Sequence, residues 1–319
     1  MSRTLKILRH GPLMTIQDGG RYGFRAFGVS TSGAIDRASH AIANALVGND
    51  FEAAAIEFAL AGGAIEADED VMIAVTGGAC RIEIDGQPVA PWESHILRKG
   101  QNLEIGALRG AVWGYLAISG GITTTPVLGS RSTHLRTGLG GLDGRKLAAG
   151  DVLPLGKPGD LELLALGLPY FRRPEPITVV PGPQDDYFDR ETWATFTTGP
   201  FEVTASRDRM AMVLDGPPLT ADKGHDIISD ATVVGSIQVP GSGKPIVLSA
   251  DGQTTGGYPK IATVASVDLA RLAQMPSGQH FRFKAISADA AEELFIHDQK
   301  RLADALNSLC RPGDRRFWG

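Results

Sequence analysis

Two polar, glycine-rich stretches carry most of the side chains in this sequence that are able to do chemistry. The first runs Gln17-Asp18-Gly19-Gly20-Arg21-Tyr22-Gly23, continues through Gly28-Val29-Ser30-Thr31-Ser32-Gly33-Ala34-Ile35-Asp36, and ends at Ala43-Asn44-Ala45-Leu46-Val47-Gly48-Asn49. Glycine lets a backbone approach a ligand closely, and Gln17, Asp18, Arg21 and Ser32 bring donors and acceptors suited to an amide or a carboxylate. The same residues also admit a purely structural reading. In it, Arg21 pairs with Asp18 or Asp36 inside a loop scaffold, and Asp36 only caps a helix.

The second stretch is Gly235-Ser236-Ile237-Gln238-Val239-Pro240 followed by Asp251-Gly252-Gln253-Thr254-Thr255-Gly256-Gly257-Tyr258-Pro259-Lys260. Between Asp251 and Lys260 nearly every residue is polar or glycine, and apolar strand-like runs flank the segment, a pattern suited to a loop at a barrel rim where polar groups converge. Lys260 can neutralise a developing anionic oxygen or a phosphoryl group, and Gln253 can hold an amide or ureido edge. A plain solvent loop is the competing reading, and the density of Gln, Thr, Tyr and Lys beside paired glycines weighs against it.

Other chemistries are excluded by spacing. Val239-Pro240-Gly241-Ser242-Gly243-Lys244-Pro245 resembles a phosphate loop, but Gln238 falls where the first glycine belongs and Pro245 where a Ser or Thr must hold magnesium. It reads as a tight turn. In Gly138-Leu139-Gly140-Gly141-Leu142-Asp143-Gly144 an aspartate takes the third glycine position of a dinucleotide fingerprint, so this run reads as a flexible loop. No Gly-x-Ser-x-Gly occurs, and the seven histidines show neither HxH nor HExxH spacing, so neither a hydrolase elbow nor a structural metal is expected. Cys80 and Cys310 stand alone and are expected as reduced thiols.

The elements that must position these groups are mostly strands. Val71 to Val75, Ala111 to Ile118, Ile177 to Val180, Phe201 to Ala205, Ile246 to Ala250, Ile261 to Val267 and Phe281 to Ile286 read as strands, and Arg81-Ile82-Glu83-Ile84 with Asp85-Gly86 and Gln87-Pro88-Val89 reads as a type I′ hairpin. Such spacing favours a sandwich or barrel over alternating strand-helix units. Two helices are placed: 37–47, capped by Asp36 and stopped at Gly48, and a C-terminal cover helix from about Ser287, with Leu294, Leu302, Leu306 and Leu309 at helical spacing and a stop before Pro312. Five prolines between Pro169 and Pro183, with Arg172-Arg173, mark a domain boundary and give β-rich domains at 1–170 and 171–319. A length of 319 residues suits about two domains.

Glycine contributes 40 residues, well above the usual ~7%, so the chain makes many turns. The 31 basic and 36 acidic residues give a net charge of −5 without long runs of either sign, which argues against nucleic acid or an anionic membrane as partner. Neither an export signal nor a membrane-spanning run is seen, so a cytoplasmic location is expected.

The two polar stretches together resemble the biotin-dependent carboxyltransferase-like family, over about residues 6 to 286. That family includes the C subunit of bacterial 5-oxoprolinase, also described as the KipI antagonist, and the allophanate hydrolase subunit 2-like half of urea carboxylase. The resemblance implies a mainly β, cyclophilin-like β-barrel architecture in two β-rich halves with a few short helices. It further implies a component of an ATP-dependent 5-oxoprolinase that opens 5-oxo-L-proline to L-glutamate, in a heteromeric complex with the KipI-like B subunit and the A subunit of that enzyme. ATP, with Mg2+, would be shared with those partners, and no biotin-attachment Met-Lys motif is present. A non-catalytic KipI-binding protein and a urea carboxylase-like carboxyltransferase are the alternatives. From the chemistry of their side chains, Lys260, Gln253 and Asp251 are the expected catalytic residues. Gln17, Asp18, Arg21, Ser32, Asp36, Asn44, Gln238, Thr254, Thr255 and Tyr258 are the expected substrate contacts, with Arg21 on the substrate carboxylate.

Overall fold

A computed structural model describes residues 3–159, 162–170, 172 and 176–314. Arg173 and Pro174 of the proline-rich boundary segment lie outside the described residues. The chain divides into two compact units. One comprises Met1–Arg21, Ser32–Tyr170 and Arg301–Gly319, and the other Tyr22–Thr31 and Phe171–Lys300.

The first unit holds two antiparallel sheets. One has six strands in the order Val152–Pro154, Thr4–His10, Ala61–Ala67, Asn102–Ala107, Ile82–Ile84 and Gln87–Val89. The other has five, in the order Leu13–Gln17, Ala55–Ala59, Trp113–Ile118, Val71–Thr76 and Ser94–Leu97. Leu5, Ile7, Ile65 and Ile105 of the larger sheet share one core with Met14, Ile16, Phe58 and Leu116 of the smaller. Each such buried side chain contributes about 1.5–3 kcal/mol. Gly114 makes the packing possible, since a Cβ there would fall 2.3 Å from the Phe58 ring.

Strands Val71–Thr76 and Trp113–Ile118 are buried at every residue because the helix Arg37–Leu46 packs against both. The cap is as the sequence predicts: Asp36 accepts from Ser39 N at 3.2 Å and from Ser39 Oγ at 2.6 Å, and Gly48 follows at φ 71°. The hairpin is also as expected. Asp85 and Gly86 take φ of 49° and 77°, the two positive angles a type I′ turn needs.

The second unit is built on an eight-stranded sheet in the order His280–Phe281, Phe201–Arg207, Ala211–Asp215, Ile246–Leu248, Ser236–Gln238, Lys260–Val264, Ile177–Pro181 and Phe283–Ala285. Its two outer strands are separated in sequence by Arg282 alone, so the sheet curls into a nearly closed barrel. Phe196, Phe201, Phe281 and Phe283 interlock in its core, the Phe196 and Phe283 rings stacking at 4.6 Å. The protein is therefore mainly β, with a barrel-like sheet and few helices.

Several boundaries differ from the sequence reading. The strand expected over 261–267 ends at Val264, and a helix, Ser266–Gln274, takes over. Its buried Asp268 accepts from Thr178 N at 2.7 Å and Thr178 Oγ1 at 2.5 Å, tertiary bonds that no local propensity encodes. The helix Arg190–Thr198, capped by Asp189 on Thr192 N, was also absent from that reading. The strand expected over 281–286 divides at Arg282, where the barrel nears closure. The C-terminal helix is Ala288–Asn307, but only Ala305 is buried, so it covers less apolar surface than expected of a cover helix. Among the described residues no helix is long and apolar enough to cross a membrane.

Candidate active site

Lys260 opens the strand Lys260–Val264 and stands directly opposite Gln238 of Ser236–Gln238, next to an irregularity in the register. Directly opposed residues of an antiparallel pair share a face, so the two side chains project the same way. Lys260 Nζ reaches Asp230 Oδ2 at 2.9 Å. Gln184 braces both residues: its Nε2 donates to Asp230 Oδ2 at 3.2 Å, and its Oε1 accepts from Lys260 N at 3.2 Å. The hydrogen bond from Lys260, then that from Gln184 and the Ala231 amide, hold the Asp230 carboxyl below the usual carboxylate range.

Asp230 belongs to a two-stranded ribbon, Asp230–Ala231 with Thr255–Gly256, in which Asp230 pairs with Gly256 and Ala231 with Thr255. Gly256 leaves the space that Gln238 fills. A Cβ there would sit 2.2 Å from Gln238 Nε2 and 3.1 Å from Gln253 Nε2. Two side-chain amides therefore converge on the ribbon at Gly256. Gln238 is buried, and its Nε2 has no hydrogen-bond partner among the described residues. An orphaned buried donor is uncommon and costs about 1–3 kcal/mol.

The loop is tied down by its backbone. Thr232 Oγ1 donates to the Gln253 carbonyl, and Thr232 N donates to the Thr254 carbonyl at 3.1 Å. Gln253, Thr255 and Tyr258 are exposed and Thr254 half-buried. Part of the first polar stretch joins them. Ser30 Oγ donates to the Gly252 carbonyl at 2.7 Å, and Arg25 Nη2 to the Thr232 carbonyl at 2.7 Å, so Tyr22–Thr31 belongs to the same unit as this loop.

Asp251 is bound by a cation of its own, Arg209. It receives Arg209 Nε at 2.9 Å and Nη2 at 3.0 Å, and both side chains are 3% exposed. That is the geometry of a structural ion pair holding the loop base, and it gives no support to the catalytic role expected for Asp251. Asp230, Gln184 and Arg209 carried no sequence signal, since none lies in a motif and each meets its partner across at least 30 residues.

The remaining expected contacts lie in the first unit as a buried network. Asp18 accepts from Ser130 Oγ at 2.6 Å, Ser132 Oγ at 2.5 Å, Gly20 N at 2.9 Å and Arg131 N at 2.5 Å. Burial pushes its carboxyl pKa up, but these four donors outweigh burial and leave it lowered. Arg21 donates to the Ser132 carbonyl at 2.7 Å, the Val127 carbonyl at 3.3 Å and Ser32 Oγ at 3.4 Å. Gln17 Nε2 donates to the Thr133 carbonyl at 3.0 Å, and Asn44 Nδ2 to the Ala53 carbonyl at 2.9 Å. Asp36 caps its helix. Arg21 thus holds a loop through the carbonyls of Ser132 and Val127.

Residues 27–285 match the protein family described as Carboxyltransferase domain, subdomain A and B. The chain belongs to that family. It is 39% identical to the 5-oxoprolinase C subunit of Escherichia coli (strain K12) over 302 residues, covering 95% of this chain and 97% of that protein. It is 35% identical to the corresponding C subunit of Haemophilus influenzae, covering 92% and 96%. The crystal structure of the Kluyveromyces lactis urea amidolyase superposes with a TM-score of 0.87 at 28% identity, over 94% of this chain and 20% of that one.

Proposed function

We propose that this chain is the C subunit of an ATP-dependent 5-oxoprolinase, an amidohydrolase acting on a cyclic amide together with a KipI-like B subunit and an A subunit. The observation that carries this reading is the 39% identity to the E. coli C subunit, 97% of whose length the chain covers. The Lys260 cluster suits the substrate. A lactam resists hydrolysis because its nitrogen lone pair delocalises into the carbonyl, and charge gathers on the oxygen as water adds. An ammonium with two amide N–H groups beside it can stabilise that oxygen, after which the carbon–nitrogen bond breaks and the nitrogen takes a proton to give glutamate.

No described segment of this chain fits a phosphate-binding loop. The turn at Gly241–Lys244 has Lys244 paired with Asp215 at 2.8 Å on the surface, and Pro245 stands where a magnesium-binding hydroxyl is needed. Nucleotide use is accordingly proposed for the assembled enzyme, and no step is drawn through this chain's residues. The test is reconstitution: the chain is mixed with the B and A subunits, 5-oxoproline and MgATP, and glutamate is measured. Glutamate formation that requires all three proteins supports the reading. Absence of glutamate, with carboxylation of urea on addition of a biotin carboxylase and carrier, would favour the carboxyltransferase reading that the urea amidolyase superposition suggests.

A further inference from the structure

Both ends of Lys260 are bound through one side chain. Its main-chain N–H donates to Gln184 Oε1 at 3.2 Å, Gln184 Nε2 donates to Asp230 Oδ2 at 3.2 Å, and Lys260 Nζ donates to that same oxygen at 2.9 Å, which closes a ring of three residues. Resting on the proposed 5-oxoprolinase role of Lys260, we infer that Gln184 is a positioning residue of this site, whose amide sets where the ammonium stands and keeps its counter-charge in place. The fold delivers it there. Strand Ile177–Pro181 pairs with Lys260–Val264, Pro181 opposite Ala262, and Gly182 N extends the contact by donating to the Ile261 carbonyl at 2.9 Å. A Cβ at Gly182 would fall 2.2 Å from the Lys260 carbonyl oxygen, so glycine lets the chain pass close enough for Gln184, two residues on, to reach the lysine.

The chemistry of the two contacts calls for an amide. A main-chain N–H can only donate and an ionised carboxylate can only accept, so the group between them must carry an acceptor and a donor at once. Ionised glutamate would set a second carboxylate oxygen against Asp230, and methionine would offer neither group. The restraint matters because Asp230 is open to water. An ion pair with a half-exposed partner holds its geometry weakly on its own. Here the Ala231 amide holds Asp230 Oδ1 at 2.8 Å while Gln184 and Lys260 share Oδ2, so the carboxylate is fixed at both oxygens. An ammonium stabilises a developing oxyanion in proportion to how well it is placed beforehand, which is what the amide ring supplies.

Two variants of the full chain separate the two bonds, read by amide hydrogen exchange and by carbon-13 titration of the Asp230 carboxyl. Gln184→Met deletes both. The Lys260 amide is expected to exchange about tenfold faster, while amides of Ile246–Leu248 keep the parent rates, and Asp230 is expected to titrate at higher pH. Gln184→Glu keeps the acceptor and removes the donor. Lys260 exchange should then stay as in the parent while Asp230 titrates higher still, because two carboxylates adjoin, and this variant carries the test alone if the methionine variant does not fold. In the reconstituted enzyme Gln184→Met is expected to lower kcat about tenfold or more, with KM for 5-oxoproline within about threefold of the parent. Unchanged Lys260 exchange and Asp230 titration in Gln184→Met, unchanged kcat in an active assembly, or a Gln184→Glu variant in which Asp230 titrates as in the parent would each overturn the inference. A parent assembly that forms no glutamate would instead remove the 5-oxoprolinase role, and exchange and titration would still decide whether Gln184 positions the lysine.

Discussion

Lys260 and Asp230 meet at 2.9 Å with opposite exposures, the lysine side chain at 2% and the aspartate at 46%. The buried ammonium is thus neutralised by a more exposed carboxylate, and under the proposed function a substrate oxygen would take the place of Asp230 Oδ2. Gln238 adds, on the same face of the sheet, a buried N–H without a partner among the described residues. Lysine, aspartate and glutamine thus form one cluster in which Lys260 and Asp230 are paired.

Replacing Lys260 separates its role from that of its partner. In the reconstituted enzyme Lys260→Met is expected to lower turnover on the order of 10² to 10³, as for loss of one charge-stabilising donor, with the circular dichroism spectrum unchanged. Asp230→Asn removes the competing charge and is expected to lower KM, with turnover changed by less than tenfold. Normal turnover of Lys260→Met would return the lysine to a structural role.

Gln238 is expected to behave in opposite senses toward stability and function. Gln238→Met keeps the volume and deletes the orphaned donor, which costs about 1–3 kcal/mol in the empty protein. The melting temperature is expected to hold or rise while KM for 5-oxoproline rises. A variant that melts markedly lower would show that the amide is bonded in solution.

Asp251 is expected to matter for folding. Asp251→Ala takes the bidentate carboxylate from the buried charge of Arg209, a loss of roughly 3–5 kcal/mol. Urea denaturation measures it. The double variant Arg209→Met with Asp251→Leu is expected to recover most of that loss, which a catalytic aspartate would not allow in an activity assay.

His40 sets a pH limit on the first unit. Burial lowers its pKa from 6.5 to about 4, so the folded protein keeps it neutral where the unfolded chain takes up a proton. Stability from this group is complete above about pH 6.5 and falls as the pH drops from there to 4, by on the order of 3 kcal/mol. Denaturation midpoints at pH 7 and pH 4.5 should differ less in His40→Gln than in the parent. An unchanged difference would locate the acid sensitivity elsewhere.

Local rules wrote much of this protein openly. Asp85-Gly86 demands positive φ at two successive residues, and Asp36 and Gly48 bracket a helix because a carboxylate caps orphan amides and glycine alone turns left-handed without strain. The polar loop from Asp251 to Lys260 stood out because its composition breaks sharply from the strands beside it. Such signals are carried by neighbours in sequence, and the structure keeps them.

The three-dimensional pairings were decided elsewhere. Nothing near Lys260 in sequence announces Asp230 or Gln184, which meet it from 30 and 76 residues away. Asp251 and Asp230 are chemically alike in sequence, yet one is buried against Arg209 and the other half-exposed on the lysine, because strand register and barrel curvature fix which cation each carboxylate finds. Tyr22–Thr31 joins the second unit through Arg25 and Ser30, whose partners are the carbonyls of Thr232 and Gly252. Every residue presents a carbonyl, so sequence cannot single out the one that a side chain will bind, and only the folded chain brings it within reach.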